Sequence, residues 1–231
     1  MMKIATLTLS LVSSAAMAVT APSVTNGSFE ANLVNAGSYS YAADAAAPGA
    51  NLPKVGAGEQ PASAWSFTGL SGVSENARAW STSRQAEDGS AYAFIQTYLQ
   101  GTGAISQTIN FGQAVSVLSI SFWDVQRSMN VNQRQTLDVS LSNMSGTILG
   151  HSSFTPGANW TKDTLTLGAL AAGQYTLKFA GTGAFGSDRS AFVDAVSLTA
   201  TTAVPEAEAS SMAVAGLGVV ALLLSRRRTR S

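Results

Sequence analysis

The sequence predicts an all-β protein, an antiparallel jelly-roll β-sandwich, and three observations carry that expectation. Apolar residues alternate with polar ones at a period of two, with no sustained helical period between residues 24 and 199. The alternating runs are short and number roughly ten, each closed by Gly, Asn, Ser or Pro, which is the spacing of a sandwich. Charged residues make up only 11% of the chain while glycine occurs 21 times, so turns are frequent and surface charge is thin.

The strands follow in order. SVTNGSFE (23–30) opens the series, then AWSFTG (64–69), AYAFIQTYL (91–99) and AISQTINF (104–111). VLSISFWDVQ (117–126) sets Leu118, Ile120 and Phe122 on one face and Val117, Trp123 and Val125 on the other, so both faces are expected to be covered. QTLDVSLSN (135–143) puts Leu137, Val139 and Leu141 opposite Asp138 and Ser140. TILGHSSF (147–154), TLTL (164–167), QYTLKFA (174–180) and AFVDAVSLTA (191–200) complete the set. The stretch 31–62, rich in Ala, Gly, Asn and Pro, reads as a long loop. No 20–50-residue repeat occurs, which argues against a solenoid or propeller.

Both ends read as addresses. Residues 1–18 combine Lys3, an apolar stretch from Ile4 to Val12 and the small-x-small site Ala16-Met17-Ala18, the layout of a signal peptide cleaved before Val19. The sandwich then occupies 19–203 and a tail occupies 204–231. In the tail, 13 apolar or small residues (212–224) precede Arg226, Arg227 and Arg228. Such a helix is about 20 Å long against a hydrocarbon core of about 30 Å. It suits a transient stop, with the arginines held on the cytoplasmic side.

Composition removes several function classes. Residues 19–203 carry eight Lys/Arg against eleven Asp/Glu, near −3, with no basic stripe for phosphates, so nucleic acid is not an expected partner. Cysteine is absent, which excludes disulfides, thiolate zinc sites and thiol nucleophiles. His151 is the single histidine and no G-x-S-x-G elbow occurs, so no enzyme is predicted.

Sugar recognition needs flat rings and a few polar groups for hydroxyls. Trp65, Trp123 and Trp160 lie in or beside β-patterned runs and read as core. Trp80 lies in the polar stretch SENARAWSTSRQAEDGS (74–90) and reads either as a lid over the sandwich or as a ligand platform. Tyr98, before LQGTG, is a second ligand candidate. Arg127, at a strand end, either contacts ligand or pairs with Asp188, the pairing being favoured.

Two resemblances add to this reading. Val204-Pro205-Glu206, a short apolar helix and Arg226-Arg227-Arg228 together resemble the PEP-CTERM sorting signal of Gram-negative bacteria, with Ala207 where proline is usual. That resemblance implies processing by an exosortase, a transient membrane contact through the C-terminal helix, and delivery to the cell surface or extracellular matrix. NGSFE (26–30), Trp65, ISQTI (105–109) and FVDAVSL (192–198), in that order, resemble the galactose-binding-like superfamily and its carbohydrate-binding modules. This second resemblance implies a structural Ca2+ held by Glu30, Asp194 and a backbone carbonyl near Ser28, a donor set of hard oxygens suited to calcium. Asp194 sits between Val193 and Ala195 in an apolar strand, where a carboxylate needs a partner. The alternatives are an Asp194 that faces solvent or pairs with Arg189 or Arg127, and a Glu30 that is a surface residue at a strand end. The expected function is an exported, non-catalytic protein that binds extracellular polysaccharide. A structural matrix or biofilm protein is the alternative, and a hydrolase, which needs converging carboxylates, the third.

Overall fold

The computed structural model describes residues 21–32, 39–42, 64–76, 85–99, 101–127, 133–183 and 188–202. The expected signal peptide, the C-terminal tail with Val204, Pro205, Glu206, Arg226, Arg227 and Arg228, and Trp80 lie outside the described residues. Among those described there are eleven strands, one 3-10 turn at Glu30–Asn32 and no α-helix.

The strands are β1 (Tyr39–Tyr41), β2 (Ser66–Gly69), β3 (Ser71–Glu75), β4 (Ala91–Tyr98), β5 (Gly101–Phe111) and β6 (Val115–Gln126). They continue as β7 (Leu137–Asn143), β8 (Ile148–Phe154), β9 (Thr161–Leu167), β10 (Gly173–Gly181) and β11 (Arg189–Thr202). Every pairing is antiparallel. One layer runs β1-β3-β4-β11-β6-β9 and the other β2-β5-β10-β7-β8. The eight strands β4 to β11 have jelly-roll order: successive strands cross between layers except at the β7–β8 hairpin. A short ladder, Thr97↔Thr102 and Tyr98↔Gly101, joins the layers where β4 turns into β5.

The alternation read in the sequence explains the packing. Leu118, Ile120 and Phe122 of β6 and Ala91, Ala93 and Ile95 of β4 meet Ile105, Val139, Leu177 and Phe179 of the other sheet, all at 0% exposure. Phe122 stands edge-on to Phe154 at 5.1 Å and to Phe179 at 5.0 Å. The β5–β10 register runs unbroken from Phe111↔Gly173 to Ala104↔Ala180. A slip of one residue would turn Ile105, Ile109, Leu177 and Phe179 to solvent, so burial specifies the register.

Three elements depart from the sequence reading. Residues 23–30 form a turn rather than a strand. Asn26 and Phe29 have φ of 52° and 61°, and Asn26 accepts from Phe29 N at 3.2 Å and, through Oδ1, from Ala31 N at 3.0 Å. Asn-Gly chemistry favours this over extension. Strand β1 lies within the segment expected to be a loop, where Tyr39, Ser40 and Tyr41 pair with Ser74, Val73 and Gly72. Strand β3, whose Ser-Gly-Val-Ser-Glu carries little apolar signal, also went unpredicted.

Candidate functional site

Two acidic residues far apart in sequence converge on one segment. Glu30, opening the 3-10 turn, accepts at Oε1 from Ser90 N and Ala91 N, both at 2.7 Å, and at Oε2 from Ser90 Oγ at 2.9 Å. Asp194 accepts at Oδ2 from Glu87 N at 2.8 Å and Asp88 N at 2.9 Å, and at Oδ1 from Ala195 N at 2.7 Å. Between them the carboxylates tie residues 87–91 to the start of the domain and to its last strand. The local backbone makes this possible. A bulge in β11 between Asp194 and Ser197 puts Ala195 at φ 48°. Val196 N donates to Gly27 O at 2.9 Å, and a Cβ on Gly27 would stand 2.0 Å from Val196 O, so only glycine lets the N-terminal turn approach.

Asp194 is fully buried, and burial pushes its pKa up to about 7 against the pull of three backbone N–H groups and with the push of Asp88. It is the hydrogen-bonded carboxylate that its apolar strand demanded, and it is not partnered by Arg127 or Arg189. The chemistry of the donors suits a hard cation: Glu30 Oε2 and Asp194 Oδ1 each accept one hydrogen bond and keep a lone pair. Ser28, half-buried, lies between Gly27 and the buried Phe29 in the same turn. Among the described residues no group of three or more His, Cys, Asp or Glu gathers to hold a metal, so any calcium here rests on two carboxylates, backbone carbonyls and water.

The other feature is the outer face of the six-stranded sheet. Tyr41, Leu70, Tyr92, Phe94, Val125 and Phe192 form a second apolar cluster, separate from the inter-sheet core. Tyr92 lies 4.7 Å from Phe192, and Tyr41 stands edge-on to Phe94 at 4.9 Å. The centre is buried, while Tyr39, Tyr98 and Trp160 pack half-buried at its margin. Trp160 stands edge-on to Tyr92 at 6.2 Å and donates Nε1–H to Gln85 O at 2.8 Å. A polar chain borders the cluster. Tyr41 Oη donates to Gln96 Oε1 at 2.7 Å, and Gln96 Nε2 donates to Asp188 Oδ1 at 2.8 Å. Asp188 Oδ2 then accepts from Arg127 at 2.6 Å, the two side chains being 36% and 33% exposed. Burial, then the charge of Asp188, raise the Tyr41 hydroxyl above its ordinary pKa, so it stays a donor.

The structure thus gathers Glu30 and Asp194 on one segment, and Tyr98 and Arg127 beside one face. Arg127 is engaged with Asp188, and its backbone N–H also donates to Ser190 O at 3.0 Å. Trp65 is core as expected, 5.2 Å from Phe29, and bonds Asn26 O at 2.8 Å. Trp160 is not inter-sheet core; it belongs to the outer cluster, because it precedes β9 in a loop that crosses the sheet end. The favoured pairing of Arg127 with Asp188 is present, while sequence reasoning missed Tyr41 and Gln96 as the continuation of that chain. The available signal was doubly apolar β4, where Tyr92 and Phe94 alternate with Ala91, Ala93 and Ile95.

A groove of about 450 Å³ opens elsewhere, between residues 21–25 and the end of β5; its lining, including Ser23, Thr108 and Asn110, offers no ring or charge. No family model matches the chain, and no curated protein does. Solved structures do. The arabinose-bound MgGH51 α-L-arabinofuranosidase matches with a TM-score of 0.52 at 14% identity, over 79% of this chain and 27% of that one. TmCBM61, solved with β-1,4-galactotriose, matches with a TM-score of 0.45 at 13% identity, over 59% of this chain and 88% of that one. The CBM22-1 xylan-binding domain of Paenibacillus barcinonensis Xyn10C gives 0.43 at 13%, over 62% and 88%. This chain spans about a quarter of the arabinofuranosidase's length, 27%, and at 14% identity what the two share is the antiparallel β-sandwich fold.

Proposed function

We propose that this protein is an exported, non-catalytic binder of extracellular polysaccharide, and that the outer face of the six-stranded sheet is where it binds. The observation that carries the reading is the set of half-buried rings at the margin of that cluster, Tyr39, Tyr98 and Trp160, together with the chain Tyr41–Gln96–Asp188–Arg127. Sugar rings bind by laying apolar C–H faces on aromatic rings while hydroxyls meet amide, carboxylate and guanidinium groups. Tyr98 and Trp160 would supply ring surface, and Arg127 and Asp188 the polar edge. Trp80 stands as the candidate platform on sequence grounds. The low charge of the chain, 11%, suits a neutral glycan.

Calcium has a structural part in this reading. Glu30 and Asp194, with carbonyls near Ser28, would hold it, and the ion would supply positive charge that keeps the buried Asp194 ionised. The chain's own residues already anchor segment 87–91; the cation would stiffen that anchor. Export through the inner membrane, recognition of Val204-Pro205-Glu206 by an exosortase and release to the cell surface or matrix of a Gram-negative bacterium complete the proposal.

A glycan array with the full chain, read beside Trp80→Ala and Arg127→Ala, tests the binding face. Binding that survives both substitutions removes it. A second reading has one observation in its favour: β8 is a sheet edge with Ile148 and Leu149 exposed by 61% and 42%, and Met144 at 62% on its hairpin. An unguarded apolar edge suits a matrix protein that engages other proteins. No glycan binding together with concentration-dependent self-association favours that reading.

A further inference from the structure

Among the described residues, two carboxyl groups are diagonal neighbours on adjacent strands between the sheets, and one of them, Asp124, has no hydrogen-bond donor. Asp124 is on β6 and Asp163 on β9, whose register pairs Phe122 with Asp163 and Asp124 with Thr161. Alternation places both on the inward face: Phe122 and Leu165, two residues away from each, belong to the inter-sheet core, while Val125 belongs to the outer cluster. Asp124 is 0% exposed, and neither of its oxygens receives a hydrogen bond from any donor. Asp163 is half-buried.

No described charge faces the pair to compensate it. Lys162 on β9 alternates to the other face, opposite Trp123. On β11 the register partner of Asp124 is Val193, and Asp194 beside it turns away to the backbone of residues 87 and 88. Across the core, Asp138 of β7 and His151 of β8 contact each other at 3.5 Å, and alternation turns both away from the core. Lys178 of β10 likewise alternates outward between the core residues Leu177 and Phe179. Arg127 is held by Asp188 on the outer side. A carboxylate this dry, with no donor and no cation among the described residues, cannot stay ionised at ordinary cost.

We infer that Asp124 and Asp163 share one proton, the carboxyl of one donating to the carboxylate of the other, and that this bond is a pH-sensitive clasp between β6 and β9. The bond exists only while one partner keeps its proton, which is why no fixed donor is needed. Burial first, then repulsion by Asp163 and the bond to it, hold the proton on Asp124 up to about pH 8. The folded state therefore binds a proton that the unfolded chain releases near pH 4. Stability from the clasp is complete below that point and is lost as pH rises toward 8, by up to about tenfold in the folding constant per pH unit. Above it, two like charges repel in a site screened from water. Trp160, which immediately precedes β9 and packs on Tyr92, is the aromatic the clasp holds in place.

The test uses the full chain, ¹³C-labelled at aspartate side chains, with Asp124→Asn and Asp163→Asn beside it, in chelator. The inference expects one carboxyl carbon to titrate near pH 8, to vanish in Asp124→Asn and to move lower in Asp163→Asn. It also expects the fall in folding constant between pH 4 and 8 to be shallower in both variants than in the parent. Asp194 is common to all three chains, so the differences isolate the clasp. Titration of Asp124 near pH 4, or parallel stability profiles, would overturn it. So would a calcium-dependent rise in melting temperature that persists in Asp194→Asn but disappears in Asp163→Asn, since the pair would then hold a cation.

Discussion

Replacing Glu30 separates its two proposed duties. Glu30→Ala removes the acceptor for Ser90 N, Ala91 N and the Ser90 hydroxyl, bonds of 2.7, 2.7 and 2.9 Å. Each half-buried backbone donor left without an acceptor costs about 1 kcal/mol or a little more, and the hydroxyl about half that. The sum is about 3 kcal/mol. For a domain of this size each kcal/mol moves Tm by about 2–4 °C, so Glu30→Ala should melt about 6–12 °C lower. Glu30→Gln keeps an amide oxygen for the two N–H groups and loses only charge assistance, about 1 kcal/mol, or about 2–4 °C. Both comparisons are made in chelator by differential scanning calorimetry. Calcium at about a hundred times its Kd adds roughly 2.7 kcal/mol to the parent. Glu30→Gln should lose most of that gain although its bonds remain. Equal melting of the two variants in chelator would refute the hydrogen-bond account. An undiminished calcium gain in Glu30→Gln would refute the metal role.

Three further outcomes follow from the packing. Trp65→Ala removes a 1%-exposed ring that packs at a tilt against Phe29 and Phe179 and should cost about 3–5 kcal/mol in urea unfolding; a loss below about 1 kcal/mol would show the turn 23–30 does not depend on it. Gly72→Ala would place a methyl 1.9 Å from Ser40 O and 2.7 Å from the Phe94 ring, so it should detach β1 and disturb near-ultraviolet dichroism of the outer cluster, whereas an unchanged spectrum counts against that geometry. Arg127→Ala breaks an ion pair whose partners are 33% and 36% exposed, so stability should change by about 1 kcal/mol or less; glycan affinity should fall at least tenfold, and an unaltered affinity would put the ligand elsewhere.

The alternation of β4 to β11 made most of the sandwich legible, because a period of two survives wherever one face is buried. It failed where other forces decide. Asn26-Gly27 sits in a run read as a strand, yet side-chain bonding of the backbone and a close approach to Val196 make it a turn. Strand β3 is buried through position rather than through large side chains, all five residues being buried with Val73 the single large apolar one. Asp194 stood out as an acid in an apolar strand and Glu30 through the NGSFE resemblance, but their common target, the backbone of residues 87–91, carries no side-chain signature. Asp124 was hidden in a strand read for its hydrophobic neighbours; the meeting with Asp163 depends on register, which a single sequence does not disclose.

Strand β11 occupies the middle of its sheet, hydrogen-bonded to β4 on one side and β6 on the other. It is also the last of the described strands along the chain, pairing Phe192 with Phe94 nearly a hundred positions earlier. Until it arrives, β4 and β6 each present an unsatisfied edge and the layer lacks its spine. Such distant pairing folds slowly, over milliseconds to seconds. A chain truncated before residue 189 lacks the strand that bridges β4 and β6, so it should not close this layer.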